Sequence, residues 1–266
     1  MREEEKQIKK RILEFADKSY RNSQYLFTSF LTPAEYSEAV EVLTKEHYHN
    51  YDSYGGTEMA ERVILRFGSP EEFGYMEEFP LSCIIIEPNL AKFADRLTHR
   101  DFLGSVLNLG IERNVIGDIF IRDNTGYLIC LTRMANYIAE NLTKIKHTYV
   151  KCKVTQEMPE ALKPVLEEHI LSVSSERCDI VAAKLYQISR SEVLELFRGK
   201  KICINSRVEE SNSKNLKEGD IVSVRGYGKF SYQGVQSVNK KAGQPVRCNR
   251  QPLRVRFLRP LSVSLG

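Results

Sequence analysis

No run in this 266-residue sequence reaches the roughly 18 to 20 consecutive apolar residues that a membrane-spanning helix needs. Residues Met1 to Arg11 are densely charged where a secretory leader would be apolar, so a cytoplasmic protein without a membrane partner is expected. No CxxC pair occurs. The six cysteines, at 83, 130, 152, 178, 203 and 248, are widely scattered, which favours reduced structural thiols over a disulfide framework. The five histidines give one close pair, His47 and His49, and no Cys or His cluster completes a tetrahedral site. Neither a metal nor any other cofactor is expected. A glycine-rich loop opening a helix is also missing: Gly226-Tyr-Gly228 is followed by no helix start that could hold a phosphate.

Acidic residues stop at Asp220. Beyond it stand nine basic residues, Arg225, Lys229, Lys240, Lys241, Arg247, Arg250, Arg254, Arg256 and Arg259, so the net charge of +4 splits into −5 before this point and +9 after it. A single-sign segment of that kind suits phosphate backbones, whose counterions it releases; a solvated basic tail is the alternative.

The 42% hydrophobic content is enough for two or three compact domains. Residues 1–75 read as a helical, α+β region. Ile8, Ile12 and Phe15 fall at helical spacing, Thr32-Pro-Ala-Glu35 is a capping box with Pro at the first helical position, and Arg62 to Phe67 is a strand after the Gly55-Gly56 turn. Residues 76–155 carry a clearer rhythm. A strand over 81–87 precedes a helix over 98–109 capped by Thr98 and Asp101 and stopped by Gly110. Strands over 115–122 and 127–131 flank the turn Asp123-Asn-Thr-Gly126, and a helix over 134–142 leads to a strand over 148–154. This β-α-β-β-α-β order is the ferredoxin-like unit. The aromatic signature of an RNA-recognition motif is absent from it, so any RNA contact is expected on another face.

Residues 156–173, with Pro159 and Pro164 among charges, read as a linker. From Ser174 a compact unit follows, over 174–230. Ser174 or Ser175 starts one helix, with Ile180, Val181, Leu185 and Ile188 on its apolar side. Ser189-Arg-Ser-Glu192 opens a second, with Val193, Leu194 and Phe197 inward and Gly199 at its end. Short strands succeed them, and Arg177, Arg190, Arg198, Lys200, Lys201 and Arg207 surround the helix pair. Residues 231–266 form a basic tail with no assigned fold.

Four stretches of this unit, Arg177-x-Asp179, Ile188-Ser-Arg190, Gly199 with Ile202-x-Ile-Asn205, and Glu218-Gly-Asp220-x-Val-x-Val224, follow the S4 RNA-binding motif in order. Cys178 departs from it, standing where the pattern has Leu. A wider resemblance, over residues 30 to 230, is to the YlmH family of bacterial S4-domain proteins. It is carried by Gly55-Gly56 with Ala60-Glu-Arg62, Leu97-Thr-His-Arg-Asp-Phe-Leu-Gly104, Leu109-Gly-Ile111 with Ile116-Gly-Asp-Ile119, and Val224-Arg-Gly-Tyr-Gly-Lys-Phe230.

The resemblance implies an α+β, multi-domain chain ending in an S4 (αL-type) domain that presents its helix pair and following strand to folded RNA. Ser189, Arg190, Lys200, Lys201, Asn205 and Arg207 would line that surface, with Arg177, Arg198, Arg225 and Lys229 beside them. Arg100 and Arg113 are candidates for a second RNA surface. The implied partners are rRNA and tRNA on the large ribosomal subunit, for a monomer that rescues stalled subunits still carrying peptidyl-tRNA in ribosome-associated quality control. S4 modules also accompany RNA-modifying enzymes. A methyltransferase or synthetase needs a nucleotide-binding domain that is not visible here, and a pseudouridine synthase keeps a large catalytic domain after its S4 unit, where this chain has only a short tail. No catalytic residue is nominated and a non-enzyme is expected; a cell-division scaffold is the other alternative.

Overall fold

The computed structural model describes residues 3–58, 60–163, 165–205, 207–235 and 251–259, the last of these as backbone. The chain divides into two compact units between Lys163 and Pro164.

In the first unit, α1 (Glu3–Asn22) precedes β1 (Leu26–Phe27), α2 (Pro33–Lys45), β2 (Tyr51–Tyr54), β3 (Ile64–Phe67) and the short α3 (Pro70–Phe73). Strands pair in the order β1-β3-β2, and Ile12, Ala16, Val42, Leu43, Leu65 and Phe67 join helices and sheet in one core. The helical spacing of Ile8, Ile12 and Phe15 thus marks the packed face of α1. The capping box at α2 is complete: the Glu35 N–H donates to Thr32 Oγ1 at 3.3 Å, and the Thr32 N–H donates to Glu35 Oε2 at 2.7 Å.

The rest of this unit runs β4 (Leu81–Pro88), α4 (His99–Leu107), β5 (Ile116–Arg122), β6 (Thr125–Leu131), α5 (Thr132–Asn141), β7 (Lys144–Ile145) and β8 (Thr148–Thr155). All pairings are antiparallel and the strand order is β5-β6-β4-β8-β7. Four of these strands have the order of the ferredoxin-like unit, and the two-residue β7 extends the sheet at the β8 edge. Ile84, Ile86, Leu128, Ile119 and Val150 meet Phe102, Val106 and Ile138 of the two helices in the core. A Cβ at Gly126 would run into the Phe102 ring, which fixes the face of β6 that looks at α4. On the opposite face, Gly56 takes φ +89° and lies against Ile129, where a Cβ would stand 2.7 Å from that side chain. The main chain after Gly56 is anchored there by Asp118, whose carboxylate accepts from the Glu61 and Arg62 N–H groups at 2.5 and 3.2 Å.

The second unit comprises β9 (Val165–Val173), α6 (Cys178–Tyr186), α7 (Arg190–Arg198), β10 (Ile202–Ile204), β11 (Arg207–Val208), β12 (Ile221–Val224), β13 (Gly228–Val235) and β14 (Gln251–Arg259). Its sheet has the order β11-β10-β12-β13-β14-β9, with Val181, Val193, Phe197, Ile202, Val222, Val224, Phe230 and Tyr232 in its core. Three expectations change here. The second half of the supposed linker is a nine-residue strand, β9, paired along its length with β14, itself inside the supposed tail. Alternation over 165–173 is weak because Glu167, Glu168 and His169 follow one another, so nothing local marks the strand. The first helix begins at Cys178 and not at a serine cap, because residues 176–178 are engaged in extended pairing: the Leu216 N–H donates to the Glu176 carbonyl at 3.0 Å and the Cys178 N–H to the Lys214 carbonyl at 2.8 Å. Lys240, Lys241, Arg247 and Arg250 lie outside the described residues.

Candidate nucleic-acid interface

The helix pair is tied together by one buried carboxylate. Asp179, 1% exposed, sits in the first turn of α6. Arg177 donates to it through Nε at 3.0 Å and Nη2 at 2.9 Å, a bidentate pair, and Arg190, the first residue of α7, donates through Nη2 at 3.0 Å. A buried carboxylate must be compensated, and here two cations do so while keeping much of their own surface outside: the side chains are 33% exposed for Arg177 and 62% for Arg190. The triad therefore carries one net positive charge and holds two guanidinium groups at the outer surface of the helix pair.

Ser189 is the N-cap of α7, accepting from the Glu192 N–H at 3.1 Å. The reciprocal half of the expected capping box is replaced: the Glu192 carboxylate accepts from the Tyr227 hydroxyl at 2.6 Å. Tyr227 lies in the β12–β13 turn and also packs on Tyr186 at the end of α6, with ring centroids 5.4 Å apart. This contact brings the turn carrying Arg225 to the junction of the two helices. The Arg225 N–H donates to the Lys201 carbonyl at 2.9 Å, so Lys201 and Arg225, both exposed, are neighbours at one end of β10 and β12. Arg198 and Lys200 approach the same end from the last turn of α7. Arg198 is paired with Glu195 and Lys200 with Glu210 at 2.9 Å, all four side chains being well exposed.

The end of α7 also departs from the glycine rule. Lys200, and not Gly199, takes the left-handed conformation, at φ +53°. The Lys201 N–H then reaches back to the Leu196 carbonyl at 2.9 Å, closing the helix as a Schellman motif does.

Asn205 and Arg207 stand at the opposite end of β10, where Ile204 pairs with Arg207. Asn205 serves the backbone: at φ +50° its Nδ2 donates to Asp220 Oδ1 at 2.8 Å and its Oδ1 accepts from the Ile221 N–H at 2.9 Å. Lys229, half-buried, faces Ser223 in the β12–β13 ladder. The ten nominated residues thus resolve into three groups: Arg177, Ser189 and Arg190 at the helix junction, Arg198, Lys200, Lys201, Arg225 and Lys229 toward the β10–β12 end beyond α7, and Asn205 with Arg207 at the far end of β10. Sequence reasoning missed Tyr227 and Glu192; the signal was Gly226-Tyr-Gly228, a turn in which both glycines have positive φ and the tyrosine points back to the helices. In the first unit, Arg113 is occupied internally, donating to the Ile116 and Gly117 carbonyls at 2.5 and 3.1 Å, which leaves Arg100, exposed at the start of α4, as the outward member of that candidate pair.

Two family models match the first unit. The one described as "YlmH, N-terminal" covers residues 4–72, and the one described as "Putative RNA-binding domain in YlmH" covers residues 75–158. The second match coincides with the β4–β8 domain. Among curated proteins, the chain is similar to the "Ribosome-associated protein quality control protein P2" of Bacillus subtilis (strain 168), with 27% identity over 233 residues, 84% of this chain and 86% of that protein. Among solved structures it is similar to the "Cell division protein ylmH from Streptococcus pneumoniae", at 23% identity and a TM-score of 0.46, covering 58% of this chain and 93% of that one. With both YlmH domains matched in order over more than half of its length, the chain belongs to the YlmH family.

Proposed function

We propose that this protein is a non-catalytic, cytoplasmic RNA-binding factor. Its C-terminal S4-type unit docks on rRNA of the large ribosomal subunit, beside a tRNA, and acts in the rescue of stalled subunits that carry peptidyl-tRNA. The observation that carries the reading is the Asp179 triad: one buried carboxylate holds Arg177 and Arg190 outward at the start of α7, while Lys201 and Arg225 stand together beyond the end of that helix. Cations fixed in this way suit phosphate contacts that position an RNA without reading its sequence. Two further findings support it. The Bacillus subtilis relative, whose name gives it a ribosome-associated quality-control role, is similar along most of this chain, and an RNA-binding domain model matches the middle domain. Binding without thiol chemistry fits the cysteines as well. Burial pushes Cys83, Cys130 and Cys178 up to about 12 and Cys152 up to about 11, far from a reactive thiolate.

The test is sedimentation of the tagged chain from lysate through sucrose at low and high salt, with crosslinked RNA sequenced from the bound fraction. Wild type should migrate with large subunits at low salt, leave them at high salt, and crosslink to rRNA and tRNA. Lys201→Glu with Arg225→Glu should leave the domain folded and abolish co-migration. A folded double variant that sediments fully with the subunits would sink the assigned surface, and recovery of a salt-insensitive protein partner without RNA would move the reading to a scaffold.

A further inference from the structure

The face of the middle sheet turned away from α4 and α5 is only partly covered. The segment around Gly56 closes it at Ile129 and Asp118, while in the other half Ile85, Phe120, Arg122 and Tyr127 are half-buried and Lys151 and Lys153 exposed. The strand register gives the composition of that half. One row across four strands is Phe120, Tyr127, Ile85 and Lys153, since Phe120 pairs with Tyr127, Tyr127 with Ile85, and Ile85 with Lys153. The next row holds Arg122 opposite Thr125, and Glu87 opposite Lys151. At the corner, Tyr149 is 63% exposed and carries the Lys144 ammonium 5.1 Å from its ring centre.

Phe120 and Tyr127, directly opposed on an antiparallel pair and both half-buried, put two aromatic side chains on this half of the face. Around it stand Arg122, Lys144, Lys151 and Lys153. The acids at this half are few: Glu87 is already paired with Lys151 at 3.2 Å, and Asp123 lies in the β5–β6 turn. A recess of about 290 Å³ opens at its edge between Pro88, Ala91, Asp123, Thr125 and Lys151. Such a mixture is poorly suited to an A-form duplex, which offers phosphates and 2′-hydroxyls but no accessible ring faces. It suits unpaired nucleotides, whose bases stack on aromatic rings while cations follow the backbone, and a four-stranded antiparallel sheet is a platform on which such stacking works. The order of the strands makes the platform; the aromatic spacing of the recognised motif is not required for it.

From this juxtaposition we infer that this half of the middle sheet binds single-stranded RNA, with Phe120 and Tyr127 stacking on bases and Arg122, Lys151 and Lys153 contacting phosphates. The inference rests on the reading of the chain as an RNA-binding protein, yet uses a surface in the other unit. It replaces the expectation that this domain meets RNA by a different face.

The full chain is tested in a background with Lys201→Glu and Arg225→Glu, so that the S4-type surface is removed from the reading. The probe is a fluorescein-labelled single-stranded RNA octamer of mixed sequence, with a blunt RNA duplex of equal charge as comparison, both followed by anisotropy. The background chain should bind the octamer in preference to the duplex and photocrosslink to it at Phe120 or Tyr127. Phe120→Leu with Tyr127→Leu, which keeps apolar volume but removes both rings, should weaken the octamer at least tenfold. Lys151→Gln with Lys153→Gln, exposed changes that leave the core intact, should weaken it severalfold and flatten its salt dependence. Unchanged octamer affinity in both variants would overturn the inference. So would a protein partner lost on ring removal and insensitive to ribonuclease. Because the S4-type surface is silenced throughout, these outcomes do not depend on whether that surface binds the ribosome.

Discussion

Replacing Asp179 by Asn removes a charge while keeping the shape, and the geometry says what should follow. The carboxylate accepts three bonds, from Arg177 Nε on Oδ1 and from Arg177 Nη2 and Arg190 Nη2 on Oδ2, so an amide that keeps its oxygen at the Oδ2 position points N–H groups at the Arg177 Nε donor. One charge-assisted bond, contributing about 1.5 to 3 kcal/mol, is lost, and the other two fall to neutral-acceptor strength, about 0.5 to 1.5 kcal/mol each. Part of this returns, because a carboxylate no longer has to be desolvated at 1% exposure and because the two arginines can turn into water. A net destabilisation of about 2 to 4 kcal/mol is expected. The arginine side of the network should be unequal. Arg190→Gln leaves the bidentate Arg177 pair in place and removes a side chain that is 62% exposed, so it should cost only about 0.5 to 1 kcal/mol. Removing both arginines strands the carboxylate and should cost about 3 to 5 kcal/mol, more than the two single changes together.

Global unfolding of a two-unit chain is not a two-state measurement, so the assay is hydrogen exchange of the α6 amides, residues 178–186, under native conditions. An Asp179→Asn chain within about 0.5 kcal/mol of wild type would refute the argument. So would strict additivity of the two arginine changes, because then the carboxylate would not be what joins them.

Lys200→Gly should stabilise the second unit by about 1 kcal/mol, since φ +53° costs a lysine what glycine does not pay; native-state hydrogen exchange of the α7 amides checks it, and lower protection in the glycine chain would contradict it. Asn205→Ala should destabilise the β10–β12 end by about 1 to 2 kcal/mol while changing RNA affinity little, because both of its side-chain bonds serve the turn; a large affinity loss with unchanged exchange protection at Ile221 would restore Asn205 to the RNA surface. The buried thiols give a pH dependence. Cys83 and Cys130 are pushed from an ordinary 9.0 up to about 12, so stability present below pH 9 is lost as pH rises from there toward 12, when only the unfolded chain can ionise. Between pH 8 and pH 10 each should cost about 1.4 kcal/mol, and Cys83→Ala with Cys130→Ala should flatten that decline in the native-state exchange protection of β4 and β6, corrected for the intrinsic rate at each pH. An identical decline in the variant would refute the assignment.

The ferredoxin-like domain was legible because each of its elements carries its own punctuation. Thr98 with Asp101 opens α4, the Asp123-Asn124 turn takes positive φ at both positions, and apolar spacing separates helices from strands without reference to anything distant. The pairing of β9 with β14 was not legible, because it joins residues 78 to 94 positions apart in a ladder from Val173↔Gln251 to Val165↔Arg259; Leu253-Arg-Val-Arg-Phe257 alternates as a strand does, but nothing local names its partner. Register, too, is a property of pairs. Phe120 and Tyr127 are seven residues apart in sequence, and only the turn at Asp123 and Asn124 sets them opposite each other on neighbouring strands.

The same distinction sorts the candidate site. Charge is visible in a sequence, but what a charge is already doing is not. Arg113 reads as a surface cation and is spent on two carbonyls; Asn205 reads as a contact residue and is spent on a turn. Asp179 reads as an acid out of place on a basic surface, yet it is what keeps Arg177 and Arg190 together and outward. A buried acid raises the usefulness of the cations around it, because each arginine it holds has already lost the rotamer freedom that binding a phosphate would otherwise remove. Under the proposed RNA-binding reading, Asp179 belongs to the interface as much as the arginines it holds. Exchanging Asp179 should therefore weaken RNA binding by more than exchanging Lys201, although Asp179 is buried and never meets the RNA.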